Sequence, residues 1–183
     1  MTRITQVSRA ALAVLVLASL GGCATLSESE CRLSDWYDIG FRDGRQGQPT
    51  DRINEHVQAC AKHGTAPDRE RYLDGHFAGL ESYCTPHNGL AVGRSGHAYY
   101  GVCARHDERA FMSGYSLGHS LHRAHGRLYS INSEISTVEE KLKSKETTDE
   151  DRAVAVYRRV QLEGERGAAS AEVDRLEWEA QSF

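Results

Sequence analysis

The chain has 183 residues, and its 22 basic and 26 acidic side chains give a formal charge of −4 at pH 7. An acidic balance argues against nucleic acid or anionic lipid headgroups as partners, because like charges repel. The nine histidines blunt that charge only in acid, since an unperturbed imidazole titrates at about pH 6.5.

The N-terminus places Arg3 and Arg9 ahead of an apolar run from Ala10 to Leu20 and ends in Leu20-Gly21-Gly22-Cys23. A charged start and a short apolar run describe a secretory signal peptide over residues 1–22; a permanent span would need about 20 apolar residues. The Leu-Gly-Gly-Cys tail resembles a lipobox, in which two small residues admit a signal peptidase and the cysteine sulfur receives lipid. Acyl chains such as palmitate on Cys23 would then tether the chain, at about 0.8 kcal/mol per buried methylene. Ala24 stands where an inner-membrane retention signal usually has Asp, so similarity to enterobacterial sorting rules implies the outer membrane, facing the periplasm. The leader contains two of the basic residues and no acids, so the mature chain would carry 20 basic and 26 acidic residues, a formal −6.

With Cys23 acylated, Cys31, Cys60, Cys84 and Cys103 form an even set, and an oxidising compartment makes two disulfides the expectation. Of the three possible connectivities, we favour Cys84 with Cys103, closing a Gly-rich segment, and Cys31 with Cys60, tying an entry strand to a helix. Each would contribute about 3 kcal/mol by restricting the unfolded chain. A catalytic or metal-binding cysteine finds no support in a Cys-x-x-Cys spacing.

The expected organisation is an anchored linker over 23–34, a compact domain over 35–125 and a helical tail over 126–183. Within the domain, Tyr37-x-x-Gly40-x-x-x-Gly44, Tyr72-x-x-Gly75-x-x-x-Gly79 and Phe111-x-x-Gly114-x-x-x-Gly118 repeat one pattern. On a helix the aromatic and both glycines share a face. Glycine costs about 1 kcal/mol relative to Ala inside a helix, so six of them imply close approach of a neighbouring backbone or ring. Asp38, Arg42, Asp43, Asp74 and Glu81 make these water-soluble helices despite a spacing used in lipid. Pro49, Thr50 and Asp51 open a helix with Ile53, Val57 and Cys60 as its apolar stripe, stopped at Gly64. Pro67 and Asp68 open the next, with Leu73, Phe77, Leu80 and Cys84 at helical spacing. Asn88-Gly89 and Ser95-Gly96 read as turns, so residues 85–102 are expected to form a Gly-rich loop with a short hairpin.

From Glu108 a helix runs beyond thirty residues, with Leu121, Ala124, Leu128, Ile131, Ile135, Val138 and Leu142 as a coiled-coil seam. Thr148 reads as the N-cap of a second helix, whose seam begins Ala153, Tyr157, Val160, Gly164 and Gly167 and slips to Ala169, Val173, Leu176 and Ala180. The fold class is therefore mainly α: a compact Gly-aromatic domain with two disulfides and a Gly-rich loop, then a long antiparallel, coiled-coil-like hairpin. Homo-oligomerisation through the long helices is the competing way to bury their stripes.

The ordered series Cys31, Asp35-Trp36-Tyr37-x-x-Gly40-x-x-Asp43-Gly44-x-x-Gly47, His56-x-x-x-Cys60, Tyr72-x-x-Gly75-x-x-x-Gly79-Leu80-x-x-Tyr83-Cys84, Tyr100-Gly101-Val102-Cys103 and Phe111-x-x-Gly114-Tyr115-x-x-Gly118 resembles a family of proteobacterial lipoproteins known only as a domain of unknown function. The resemblance covers roughly 31–125 and implies an envelope lipoprotein without an assigned reaction. Family members often place Pro after the last cysteine; Ala104 stands there here.

The function expected is a non-catalytic binding or structural module that holds another envelope protein or the peptidoglycan glycan. Trp36, Tyr37, Tyr99 and Tyr100 are its binding candidates, since aromatic faces stack on sugars or side chains. Metal or haem binding through His119, His122 and His125 is one alternative, but three-residue steps rotate the imidazoles apart, so no metal or other cofactor is assigned. A cell-wall-directed hydrolase is the other. No catalytic residue is assigned, because Gly93-Arg94-Ser95-Gly96-His97 departs from the Gly-x-Ser-x-Gly elbow and neither His-Glu-x-x-His nor a phosphate loop occurs. Glu139 and Glu140 fall in a charge run that suits a solvated helix face.

Overall fold

The computed structural model describes residues 25–183; the expected signal peptide and Cys23 lie outside them. The described chain is helical, with no strand: α1 (Glu28–Leu33), α2 (Trp36–Arg45), α3 (Arg52–Ala61), α4 (Arg69–Tyr83), α5 (Pro86–Arg94), a 3-10 turn (Val102–Arg105), α6 (Glu108–Lys143) and α7 (Asp149–Ala180). Disulfides join Cys31 to Cys60 and Cys84 to Cys103.

Except at α3, helix starts follow side-chain capping of otherwise unpaired backbone N–H groups. Asp35, Asp68, Thr85, Asp107 and Thr148 each accept from a backbone N–H in the first turn of the helix that follows. Ser27 and Glu30 form a reciprocal capping box on α1. The Ser27 backbone N–H, helped by Arg42 and the Ser27 hydroxyl, holds the Glu30 carboxyl down to about 2.

The glycines set the architecture. A Cβ on Gly40 would press on Tyr72 and His76 of α4, and one on Gly44 on His76 and Leu80; conversely Gly75 faces Tyr37, and Gly79 faces Phe41 and Arg45. Residue numbers rise together on both helices, so α2 and α4 run parallel with their backbones touching. The second pair repeats the arrangement: Gly89 faces Phe111 and Tyr115, Gly93 faces Tyr115 and His119, Gly114 faces Pro86 and Leu90, and Gly118 faces Leu90 and Arg94. The atoms met are largely backbone carbonyl and amide groups, so only a missing side chain permits this approach. Dispersion along the crossing offsets the helix-propensity loss.

The two pairs are copies of one unit. Gly40, Gly44 and Gly47 correspond to Gly89, Gly93 and Gly96, each 49 residues on, while Gly75 and Gly79 correspond to Gly114 and Gly118, 39 residues on. The correspondence extends to detail. Gly47 and Gly96 both turn the chain out of the first helix at positive φ, 66° and 71°, and each lies against a ring, of Tyr83 and of His122, again 39 residues apart. His76 Nε2 lies 2.7 Å from the Gln48 carbonyl oxygen, and the Tyr115 hydroxyl donates to the His97 carbonyl at 3.1 Å.

One core cluster lies within the first unit, and a second joins α4 of the first unit to the second unit. Leu26, Cys31, Trp36, Ile39, Ile53, Cys60 and Tyr72 form the one, and Leu80 and Tyr83 of α4 with Cys84, Cys103 and Phe111 form the other. The chain returns along α7, whose Leu176 packs on Leu90, Leu117 and Leu121, while Ile131 and Ile135 of α6 meet Leu162 and Ala169. Lys141 pairs with Asp151, Arg158 with Glu134 and His125 with Glu177.

Several expectations are corrected. Residues 86–94 are a helix and not part of a Gly-rich loop or hairpin: Thr85 caps it, Pro86 occupies its first turn, and Gly89 and Gly93 are its contact with α6. Cys31 lies on a helix and not a strand. Within 25–34, Leu26 and Cys31 are buried while Leu33 is exposed, and position 125 lies inside α6. Val57, Leu73 and Phe77 sit at the surface, while His56, Tyr72 and His76 take the interior because their polar atoms find partners there. The first half of the α7 seam is likewise moved: Ala155 and Leu162 are buried, and Ala153, Tyr157, Val160, Gly164 and Gly167 face outward.

Candidate functional site

Two features stand out. The first is buried in the first unit. Asp43 of α2 receives His56 Nε2 from α3 at 2.7 Å and the Tyr72 hydroxyl from α4 at 2.8 Å, both on Oδ2. The other imidazole nitrogen of His56 lies 2.8 Å from the Thr25 hydroxyl. Burial pushes the Asp43 carboxyl up, but the hydrogen bonds from His56 and Tyr72, with the charges of His56 and Arg42, outweigh it and hold Asp43 below the usual carboxylate range. Asp43 is therefore ionised, and His56 Nε2 must donate to it. Burial and then Asp43 itself push the Tyr72 phenol far up, so it stays a donor.

A hydroxyl, an imidazole and a carboxylate in series have the connectivity of a nucleophile and its base. His56 is 1% exposed, however, and neither lobe of the groove described next reaches Thr25, His56 or Asp43. The network acts as a pin, fastening Thr25 and three helices through one buried charge. At the corresponding positions of the second unit stand Val92 for Asp43 and Phe111 for Tyr72, so that half has no counterpart of the buried carboxylate pin.

The second feature is a two-lobed groove where the units meet. In the first lobe, of about 310 Å³, α4 supplies Leu73, Phe77 and Leu80 as one wall, and the segment Tyr100–Arg105 supplies the other, with Val102 inward. The Arg105 guanidinium lies 5.1 Å over the Phe77 ring, a cation–π contact that flattens the arginine along the rim. The second lobe, of about 330 Å³, is more polar; Gln46 and Gln48 leave α2 on one side, His97 and Ala98 leave α5 on the other, and Tyr83 forms part of its lining. Burial pushes the Tyr83 phenol up, so it too is neutral and able to donate. Tyr100 is 67% exposed and lines both lobes.

Of the aromatic candidates read from sequence, Tyr100 alone stands in this groove. Trp36 is buried with Leu26 and Ile53. Tyr37 is partly exposed on α2, stacked at 6.4 Å on Phe41. Tyr99 packs at 4.8 Å on Phe111, donates its hydroxyl to Glu108 at 2.7 Å and accepts the Cys103 N–H at 3.0 Å. Burial first, then that bond to Glu108, pushes its phenol up to about 12.

The three histidines of α6 engage different neighbours: His119 stacks at 5.8 Å on Tyr115, His122 lies 3.2 Å from the Arg94 carbonyl and His125 lies 3.2 Å from Glu177. Among the described residues no three His, Cys, Asp or Glu side chains gather as metal ligands would.

Sequence reasoning missed the groove residues Leu73, Phe77, Gln48 and Arg105. The available signal was Leu73 and Phe77 themselves, one turn apart and one residue out of phase with Tyr72, Gly75, His76 and Gly79.

No curated protein and no solved structure matches the chain. Residues 35–120, from the cap of α2 to just past Gly118, form a domain of unknown function and match the family described as a protein of unknown function, DUF2799.

Proposed function

We propose that the chain is an outer-membrane lipoprotein facing the periplasm, anchored through lipid on Cys23, whose duplicated domain is a non-catalytic module that binds another envelope protein in the groove around Tyr100. The anchor rests on the charged and apolar residues that precede Leu20-Gly21-Gly22-Cys23. Two disulfides fit an oxidising compartment. In this reading α6 and α7 are a coiled-coil-like hairpin that braces the domain.

The observation that carries the binding reading is the exposed Tyr100 beside Leu73 and Phe77, which are 38% and 39% exposed, in a cleft with a cationic rim. Apolar surface of this kind, rimmed by polar groups, is costly in water unless it is covered part of the time. An apolar side chain fits the first lobe, an acidic neighbour fits Arg105, and the glutamine and tyrosine groups of the second lobe suit extended backbone.

The test is a photo-crosslinking residue at position 100 in intact cells, with position 129 as control, since Tyr129 is exposed on the tail at 77%. A defined protein adduct from position 100 and none from 129 is expected, weakened by Leu73→Ser. Adducts of equal yield from both positions would overturn the groove, and an unlipidated Cys23 in the intact mass of the native product would overturn the anchor.

A further inference from the structure

Helix α7 carries two apolar stripes on opposite faces, and the chain covers only one. Ala155, Leu162, Ala169, Val173 and Leu176 are buried. Half a turn away lie Ala153, Tyr157, Val160, Gly164, Gly167, Ala171, Asp174 and Trp178, all exposed, with Tyr157, Val160 and Trp178 at 66%, 67% and 75%. Their spacing alternates four and three without a break over about 37 Å of helix, which is the heptad of an interhelical seam and not the scatter of single surface apolar residues.

We infer that this stripe pairs with its own copy on a second chain, with the two α7 helices antiparallel about a two-fold axis between Gly164 and Gly167. The stripe is its own complement in that register. Trp178 of one copy falls opposite Ala153 of the other, Val160 opposite Ala171, Gly164 opposite Gly167, and Tyr157 opposite Asp174. Every large side chain meets a small one except at the last pair, where the match is polar. The Tyr157 hydroxyl already accepts from Gln161 Nε2 at 3.0 Å, leaving its proton for the carboxylate of Asp174, the single charge in the stripe. A two-fold contact demands this kind of self-matching surface.

The flanks agree. Glu163 falls near Ser170, Glu177 near Val156 and Arg175 near Val154, so no like charges oppose. Gly164 and Gly167 have no neighbour where a Cβ would stand, whereas the domain glycines of α2, α4, α5 and α6 each admit another helix. The axis places the closest approach of the two chains at these two.

Sedimentation of the full chain, in a non-ionic detergent with micelles in excess over protein, is expected to show a dimer. Val160→Glu should weaken it at least a hundredfold with unchanged helicity, since Val160 contacts no core of its own chain. Mild oxidation should link Val160→Cys/Ala171→Cys into covalent dimers, while either single variant links at least tenfold less. In the proposed register two copies of residue 160 lie 11 residues, about 16 Å, apart along the seam, beyond the ~7 Å that a disulfide allows between Cα atoms. A chain that stays monomeric at about 100 μM, a dimer indifferent to Val160→Glu, or ready linkage by Val160→Cys alone, which a parallel pair would give, would each overturn the inference.

Discussion

Replacing glycine by alanine within a helix normally stabilises it by about 1 kcal/mol; at Gly40 the sign should reverse. A Cβ at Gly40 would lie 2.8 Å from the Tyr72 carbonyl carbon and 2.9 Å from the His76 nitrogen. Ordinary contact lies at about 3.5–4.0 Å, so α2 and α4 would have to separate by about 1 Å. The obstructing atoms are backbone, and no rotamer change can move them aside. Overpacking of this kind costs about 1–3 kcal/mol, and a rigid obstruction belongs at the upper end. After the propensity gain, Gly40→Ala should lose about 2 kcal/mol, or about 4–8 °C in Tm for a chain of this size. Gly89→Ala, the corresponding change in the second unit, should lose a similar amount, since its Cβ would lie 3.0 Å from the Tyr115 nitrogen. Gly126→Ala has nothing within reach and should gain about 1 kcal/mol by propensity alone. Thermal melting followed by circular dichroism, with both disulfides verified by mass, gives the comparison. A Gly40→Ala chain that melts at or above the parent would refute the backbone contact between α2 and α4.

The Asp43 pin makes stability depend on acid. A carboxylate held low in the fold contributes stability in full above its unfolded value of about 4, and that contribution fades as the pH falls through the lower folded value. Asp43→Asn should therefore be less stable than the parent at pH 7, with the gap closing below about pH 4; parallel urea-midpoint curves from pH 2 to 7 would contradict the assignment. In the tail, Leu162→Ala should cost about 2–5 kcal/mol as a fully buried deletion, and Val160→Ala should change the melting of the unpaired chain by less than about 0.5 kcal/mol, measured by urea unfolding at dilutions where chains are single. Equal losses at the two positions would mean that the buried stripe has been misplaced.

Capping residues and glycine spacing made most of the helices legible in the sequence, and of the three cysteine connectivities left open the favoured one is the one found. The fourth glycine motif was hidden because Asn88-Gly89 and Ser95-Gly96 have the chemistry of turns, and only α6 lying against Gly89 and Gly93 makes a helix the better state. On α3 and α4 the expected stripes hold at Ile53, Cys60, Leu80 and Cys84 and are one position out at Val57, Leu73 and Phe77. Hydropathy ranks Val57, Leu73 and Phe77 above His56, Tyr72 and His76, and burial of the latter depends on hydrogen-bond partners far away in sequence, such as Asp43 and Gln48. In α7 two heptads of similar quality compete, and the contact of Leu176 with Leu90 and Leu121 decides which one turns inward. The groove was invisible for a related reason, since the parallel order of the paired helices is set by crossovers whose paths local pattern does not encode.

Helix α6 begins beneath the Gly114 and Gly118 contact and continues without a turn to Lys143, 36 residues in all, or about 54 Å. Tail and domain thus share one rod instead of meeting at a joint. The same helix carries the Gly114 and Gly118 crossing and, through the Tyr115 hydroxyl on the His97 carbonyl, touches one end of the groove, so an uninterrupted helix links the far tip to the edge of the cleft.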